Sequence, residues 1–125
     1  MKSLPRILLI VPGLLIGLLV PAVIASPKKA PAGAIGMIGD DFAQSVVMVH
    51  RGARLTLVND SHVVHVIGPG RNTAISSPER GVPMTGFHLM QTNDVFTTGR
   101  WMTIGTFYLT CSVHPGMTLT VVVIR

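Results

Sequence analysis

Cysteine is nearly absent: the 125 residues contain one, Cys111. An internal disulfide is therefore excluded. A single thiol remains as a buried core group, a link between chains, or a metal ligand. Acidic residues are scarce too, five in all. General acid–base catalysis needs positioned carboxylates or their equivalents, and here there is no carboxylate pair. HExxH is missing, and no Ser–His–Asp set has supporting context. The chain is expected not to be an enzyme. Aromatics amount to four Phe, one Trp and one Tyr, and the basic residues do not cluster. From Ser26 onward eight Lys and Arg stand against five Asp and Glu, a difference of +3. They are spread over Lys28, Lys29, Arg51, Arg54, Arg71, Arg80, Arg100 and Arg125. Nucleic-acid binding needs a concentrated basic patch, so that class is excluded. The mild positive charge favours an acidic partner surface. No stretch carries helical periodicity.

The one long apolar run is N-terminal. Lys2 and Arg6 precede it, Ile7 to Val20 is almost wholly apolar, and Val23 and Ala25 sit at −3 and −1 of a cut before Ser26. A basic start, an apolar middle and a small-residue end describe a signal peptide over 1–25. The alternative is an uncleaved anchor, since Ile7 to Ile24 holds 18 residues, the lower edge of a bilayer span. No cysteine stands at the cut for lipid attachment. Either way the expected location is exported, periplasmic or extracellular, with membrane contact only through a retained N-terminus. Residues 26–36, with Pro27, Pro31 and Gly33, read as a flexible linker before a single domain at 37–125.

That domain reads as β-structure. Short runs rich in Val, Leu and Thr lie at Ser45–His50, Arg54–Asn59, Val63–Ile67, Gly105–Cys111 and Thr118–Ile124. In the last, Leu119, Val121 and Val123 alternate with Thr118, Thr120 and Val122, a period of two. Arg51-Gly52 and Asn59-Asp60 supply turns, and Gly68-Pro69-Gly70 is expected to stop the third run. Residues 71–84 read as a long loop, with short strands near Thr85–Met90 and Val95–Phe96. About seven or eight strands in roughly 100 residues point to an all-β Greek-key sandwich.

What the sequence does hold is a dense donor segment, Cys111-Ser112-Val113-His114-Pro115-Gly116-Met117. It sets a thiolate, an imidazole and a thioether at C-x2-H-x2-M, between the end of one strand and the start of the next. Imidazole suits both Cu(II) and Cu(I), and soft sulfur favours Cu(I). Two His and one Cys in a plane with a weak axial Met form the blue-copper arrangement. A second imidazole must come from elsewhere. His65, six residues after Asn59 and past a bend, leads; His62 is the rival. His50 ends an earlier strand, and His88 lies in a weakly patterned region.

Two segments carry a family resemblance. Phe42 to Asn59, FAQSVVMVHRGARLTLVN, resembles the opening of cupredoxins, and Gly105 to Met117, GTFYLTCSVHPGM, resembles their closing ligand loop. The short Cys-to-Met spacing is similar to the amicyanin and plastocyanin-like bacterial type. The resemblance implies one type 1 copper ion held by His65, Cys111, His114 and Met117. The Asn-to-His spacing of six supports His65 over His62. It also implies a single-electron carrier, a monomer, that docks redox partners transiently near His114. Pro115, Gly116 and Gly68 to Gly70 are expected to help form an apolar rim there. The runner-up is an exported copper carrier without a redox role. Copper enzymes such as oxidases need further His clusters, and the chain has five histidines in all. There are two departures from the pattern. Val64 precedes the ligand His where Pro is usual, and Val66 follows it where an Asn usually ties the two ligand loops together. Only the Val66 backbone N–H could still reach the Cys111 sulfur.

Three features have plainer readings. The scattered methionines Met37, Met48, Met84, Met90 and Met102 lack close Met-x-x-Met spacing and read as core packing. Trp101 and Tyr108 are explained by sandwich packing as well as by electron tunnelling. Asn59-Asp60-Ser61 fits a glycosylation sequon.

Overall fold

The computed structural model describes residues 33–125 without interruption, together with Gly13, Gly17, Pro21, Ser26, Pro27 and Ala30. The signal peptide or anchor expected at 1–25 otherwise lies outside the described residues. Among the described residues there are ten strands and no helix: β1 (Ala34–Ile38), β2 (Asp41–Phe42), β3 (Val46–His50), β4 (Arg54–Asn59), β5 (His65–Arg71), β6 (Ala74–Ile75), β7 (His88–Met90), β8 (Val95–Arg100), β9 (Gly105–Cys111) and β10 (Thr118–Ile124).

Side-chain alternation decides which face turns inward. In β10, Leu119, Val121 and Val123 are buried while Thr118, Thr120, Val122 and Ile124 are half-buried. In β4, Leu55 and Leu57 point inward, flanking Thr56. A strand that carries Leu or Val at every second position can cover one face of a core, and two such faces make a sandwich. The first sheet runs β2-β1-β4-β8. The second runs β3-β10-β9-β5-β6, with β7 also on β5. The pairs β1–β4 and β3–β10 are parallel and the rest antiparallel. Between the sheets, Met37 and Leu57 pack with Ile67, Leu109, Leu119, Val121 and Trp101 in one apolar cluster. The Trp101 indole N–H donates to Thr98 Oγ1 at 3.0 Å, so its polar edge is satisfied inside that core.

The all-β sandwich expected from the sequence is the architecture observed. Three local expectations differ. β1 begins at Ala34, inside the stretch 26–36 read as a linker, and pairs Ala34 with Thr56. Gly68-Pro69-Gly70 does not end β5 but lies within it. Gly68 sits opposite Thr110 and Pro69 opposite Leu109. Pro69 offers its carbonyl to the Ser76 N–H at 2.8 Å, and β6, the strand on that side, is only two residues long. Gly68 leaves room for Ile75, whose Cγ2 would lie 2.8 Å from a Cβ there. Gly70, at φ +144, faces the Ala74 carbonyl closely enough that a side chain would collide with backbone. The third difference is at 71–84, read as a loop, which contains β6.

The strand directions give the molecule two ends. β10 runs from Thr118 to Ile124 and spans about 20 Å. Near its start stand Cys111, the end of β4 at Asn59, the start of β5 and the β1–β2 turn. Near its finish stand His50, the start of β4 at Arg54 and the end of β8 at Arg100.

Candidate metal centre

Two adjacent strands and one loop build the site. His65 opens β5 and Cys111 closes β9, and their strands are antiparallel neighbours, with Cys111 opposite Ile67. The loop after Cys111 closes on itself. The Cys111 N–H donates to the Met117 carbonyl at 3.1 Å and the Met117 N–H to the His114 carbonyl at 3.2 Å. Gly116 takes φ +79, the left-handed conformation that favours glycine, to make the reversal. Thr110 Oγ1 donates to the same Met117 carbonyl at 2.8 Å. The loop is stapled to β5 by Ser112 N–H to the Val66 carbonyl at 2.9 Å. The Val66 N–H in turn donates to Cys111 Sγ at 3.4 Å. Val66 thus joins the loops through its backbone, at the position where a side-chain tie is usual.

The result is three donors facing one point. Cys111 Sγ lies 3.3 Å from His114 Nδ1, and His114 Nδ1 lies 3.1 Å from His65 Nδ1. All three donor atoms fall within 4.8 Å of one another. Nitrogen at about 2.0 Å and sulfur at about 2.3 Å from a shared ion, set in a plane, stand about 3.5 Å apart. Two of the observed spacings, 3.3 and 3.1 Å, lie slightly inside that figure, and the third pair lies within 4.8 Å. Two imidazoles and a thiolate are also a borderline-to-soft donor set suited to copper or zinc.

Burial is graded across the site. His65, Cys111 and Met117 are fully buried, whereas the His114 side chain is 14% exposed. Burial, with the neighbouring His114, pushes the His65 pKa below its ordinary 6.5, only partly opposed by Asp40 and the Gly39 backbone. A neutral imidazole is the form that can ligate. Met117 is brought beneath the loop by its backbone bonds to Cys111 and Thr110.

The remaining sequence candidates lie elsewhere. His62 is exposed in the bend after β4, outside the cluster. His50 sits at the opposite end, its Nδ1 against the Arg125 carbonyl at 2.8 Å. His88 stacks on Phe96 with ring centroids 3.6 Å apart. Met37, Met84 and Met90 belong to the core, while Met48 and Met102 are exposed. Gly68 and Pro69, expected near the rim, are buried in β5. Exposed apolar side chains next to the ligands are instead Val64, Val113 and Ile38.

Three residues at the site went unread in the sequence. Asp40, in the β1–β2 turn and 76% exposed, places Oδ1 3.6 Å from His114 Nε2. No spacing signal links positions so far apart in the chain. Ser61 was read only within a sequon, and Asn59 as a turn and spacing marker rather than as a buried hydrogen-bonding group. Asn59 is fully buried, and its amide bonds the carbonyls of Val63 and Met90. In the folded chain it is closed to glycosylation.

No family model matches the sequence, and no curated protein matches it. Solved structures do. A purple cupredoxin from Nitrosopumilus maritimus is 20% identical, with TM-score 0.55, covering 67% of this chain and 82% of that one. Amicyanin from Paracoccus versutus is 18% identical, with TM-score 0.57, covering 77% and 86%. An oxidised amicyanin variant is 17% identical, with TM-score 0.57, covering 79% and 90%. The sandwich architecture is thus shared with proteins of little sequence likeness. The chain has the cupredoxin fold.

Proposed function

We propose that this chain binds one copper ion in a type 1 site and carries single electrons, and that it is not an enzyme. The observation that supports this most directly is the convergence of His65 Nδ1, Cys111 Sγ and His114 Nδ1 within 4.8 Å. Met117, fully buried in the same loop, would supply a thioether as the fourth ligand. A bound copper would supply a Cu(II)/Cu(I) couple. The protein's part is to hold the donors still. His65 and Cys111 are fixed by β5 and β9, and the Val66 N–H tempers the charge on the sulfur. The ligand loop is closed by its own backbone bonds. A frame that does not move with oxidation state keeps the rearrangement accompanying each electron small.

His114 is the ligand open to solvent, so docking is assigned to its end of the sandwich, with Val64, Val113 and Ile38 as the apolar rim. Small, transient contacts of that kind suit quick release. The overall positive charge favoured an acidic partner, but among the described residues the acidic and basic side chains are unevenly spread. Asp40, Asp41, Asp60 and Asp94 lie toward the metal end, whereas Arg51, Arg54, Arg100 and Arg125 lie at the other. The partner surface proposed for His114 is therefore basic. The N-terminal sequence supports an exported protein, and the small rim supports a monomer.

The test is voltammetry of the copper-loaded chain. A reversible one-electron wave is the expected result. A protein that binds Cu(I) but gives no reversible wave would instead support a copper carrier.

A further inference from the structure

Each ligand histidine has a second ring nitrogen, and what that nitrogen meets decides which one is free for metal. For His65 the partner is Ser61: its Oγ lies 3.0 Å from Nε2. Both groups are buried, Ser61 at 5% exposure and His65 at 0%, so water does not substitute freely for the contact.

The hydrogen positions follow from counting donors. Asn59 Nδ2 has two hydrogens, and both are committed, to the Val63 carbonyl at 2.8 Å and the Met90 carbonyl at 2.9 Å. Turning the amide over would set its oxygen against two carbonyl oxygens, so the orientation is fixed. Asn59 Oδ1 can then only accept. It takes the Ser61 N–H at 2.9 Å and the Ser61 hydroxyl at 2.6 Å. The other acceptor near that hydroxyl, the Val63 carbonyl at 3.2 Å, is also acceptor-only, so the hydroxyl hydrogen leaves in either case toward a group that cannot return one. Ser61 Oγ keeps two lone pairs. One meets the Val63 N–H at 3.2 Å and the other meets His65 Nε2. That nitrogen must therefore carry the hydrogen. A neutral imidazole has only one, so Nδ1 is bare, and Nδ1 is the atom that faces Cys111 and His114.

We propose that Ser61, held by Asn59, is a positioning residue that locks His65 as the Nε2–H tautomer and keeps Nδ1 open for the metal. Its use to the protein rests on the copper reading above, but the tautomer itself is a property of the metal-free chain. Second partners of this kind fix both ring orientation and ligand basicity. His114 has no comparable clamp, its Nε2 facing the exposed Asp40 carboxylate at 3.6 Å. The two histidines are thus held unequally: the buried one rigidly, the outer one loosely.

The test begins with the full chain, metal-free and 15N-labelled, in mild detergent at about pH 8, above the usual imidazole range. Long-range proton–nitrogen correlation spectra report which ring nitrogen of His65 carries hydrogen, with assignment by the signal lost in His65→Asn. Bound hydrogen on Nε2 is the expected result, and hydrogen on Nδ1 overturns the proposal without any variant being needed. In Ser61→Ala the two tautomers should mix, and Cu(I) affinity, read by competition with bicinchoninate, should fall about 10–100-fold. An unchanged tautomer and affinity in Ser61→Ala would also overturn it. The copper reading fails separately: an Nε2–H tautomer in a chain that takes no copper would refute the metal site and leave the role of Ser61 standing.

Discussion

Replacing Asn59 by Ala should cost the metal-free protein about 4 kcal/mol. The side chain makes four hydrogen bonds in a fully buried position. Truncation strands the Val63 and Met90 carbonyls and frees the Ser61 N–H and hydroxyl. Each neutral bond contributes about 1 kcal/mol net, and a buried group left unpaired costs about 1–3 kcal/mol. Part of this is recovered, because the Ser61 hydroxyl can turn to the Val63 carbonyl at 3.2 Å. Against a total stability of about 5–15 kcal/mol, such a loss is large. For a domain of this size each kcal/mol moves the midpoint about 4–8 °C, so Tm should fall by about 15 °C or more. The assay is urea and thermal unfolding of Asn59→Ala beside Gln91→Ala, an exposed residue in the β7–β8 turn that should change little. A loss below 1 kcal/mol for Asn59→Ala would refute the reading that this amide ties β4, the bend before β5 and β7 together.

Two further expectations follow from charge. The His65 pKa is lowered by burial, so the unfolded chain binds more protons below the ordinary value of 6.5. The stability of the metal-free protein should then be fully present above pH 6.5 and decline as pH falls through and below it. In His65→Gln the slope in that window should flatten, and an unchanged slope would contradict the assignment. The copper-loaded chain should exchange electrons with a cationic probe such as hexaammineruthenium at a rate that falls several-fold as salt rises. Asp40→Asn should weaken that dependence. A rate that rises with salt would mean that the net positive charge outweighs the acidic metal end.

How much was legible in the sequence varied with the length of chain that carries each feature. β4, β9 and β10 could be read to the residue, because each is a β-rich run bounded by turn residues or the ligand loop, with period-two alternation clearest in β10. The ligand loop was legible for a similar reason, since Cys111, His114 and Met117 sit within one heptapeptide whose turn is closed by its own backbone. β1 was missed. Ala34 to Ile38 has too little alternation to stand out beside a Pro- and Lys-containing approach, and it becomes a strand only by pairing with β4. The continuation of β5 through Gly68-Pro69-Gly70 was missed because glycine and proline usually mark turns. Here Gly68 yields space to Ile75, and Pro69 still pairs with Ser76 through its carbonyl. Asn59-Asp60-Ser61 was read as a turn that fits a sequon, not as a buried group. Burial is set by β5 and β7 folding over that corner, and three residues cannot announce it. Asp40 reaches His114 only through the parallel pairing of β1 with β4, a contact invisible to any local pattern.

The central claim is that the Cys111 sulfur binds copper beside two imidazoles, and the visible spectrum tests it most directly. Cu(II) added to the full-length chain should give one intense thiolate-to-copper band at one ion per chain, and Cys111→Ala should abolish it while remaining folded. No such band in a folded, copper-exposed wild-type chain, or a band that survives in Cys111→Ala, would contradict the account.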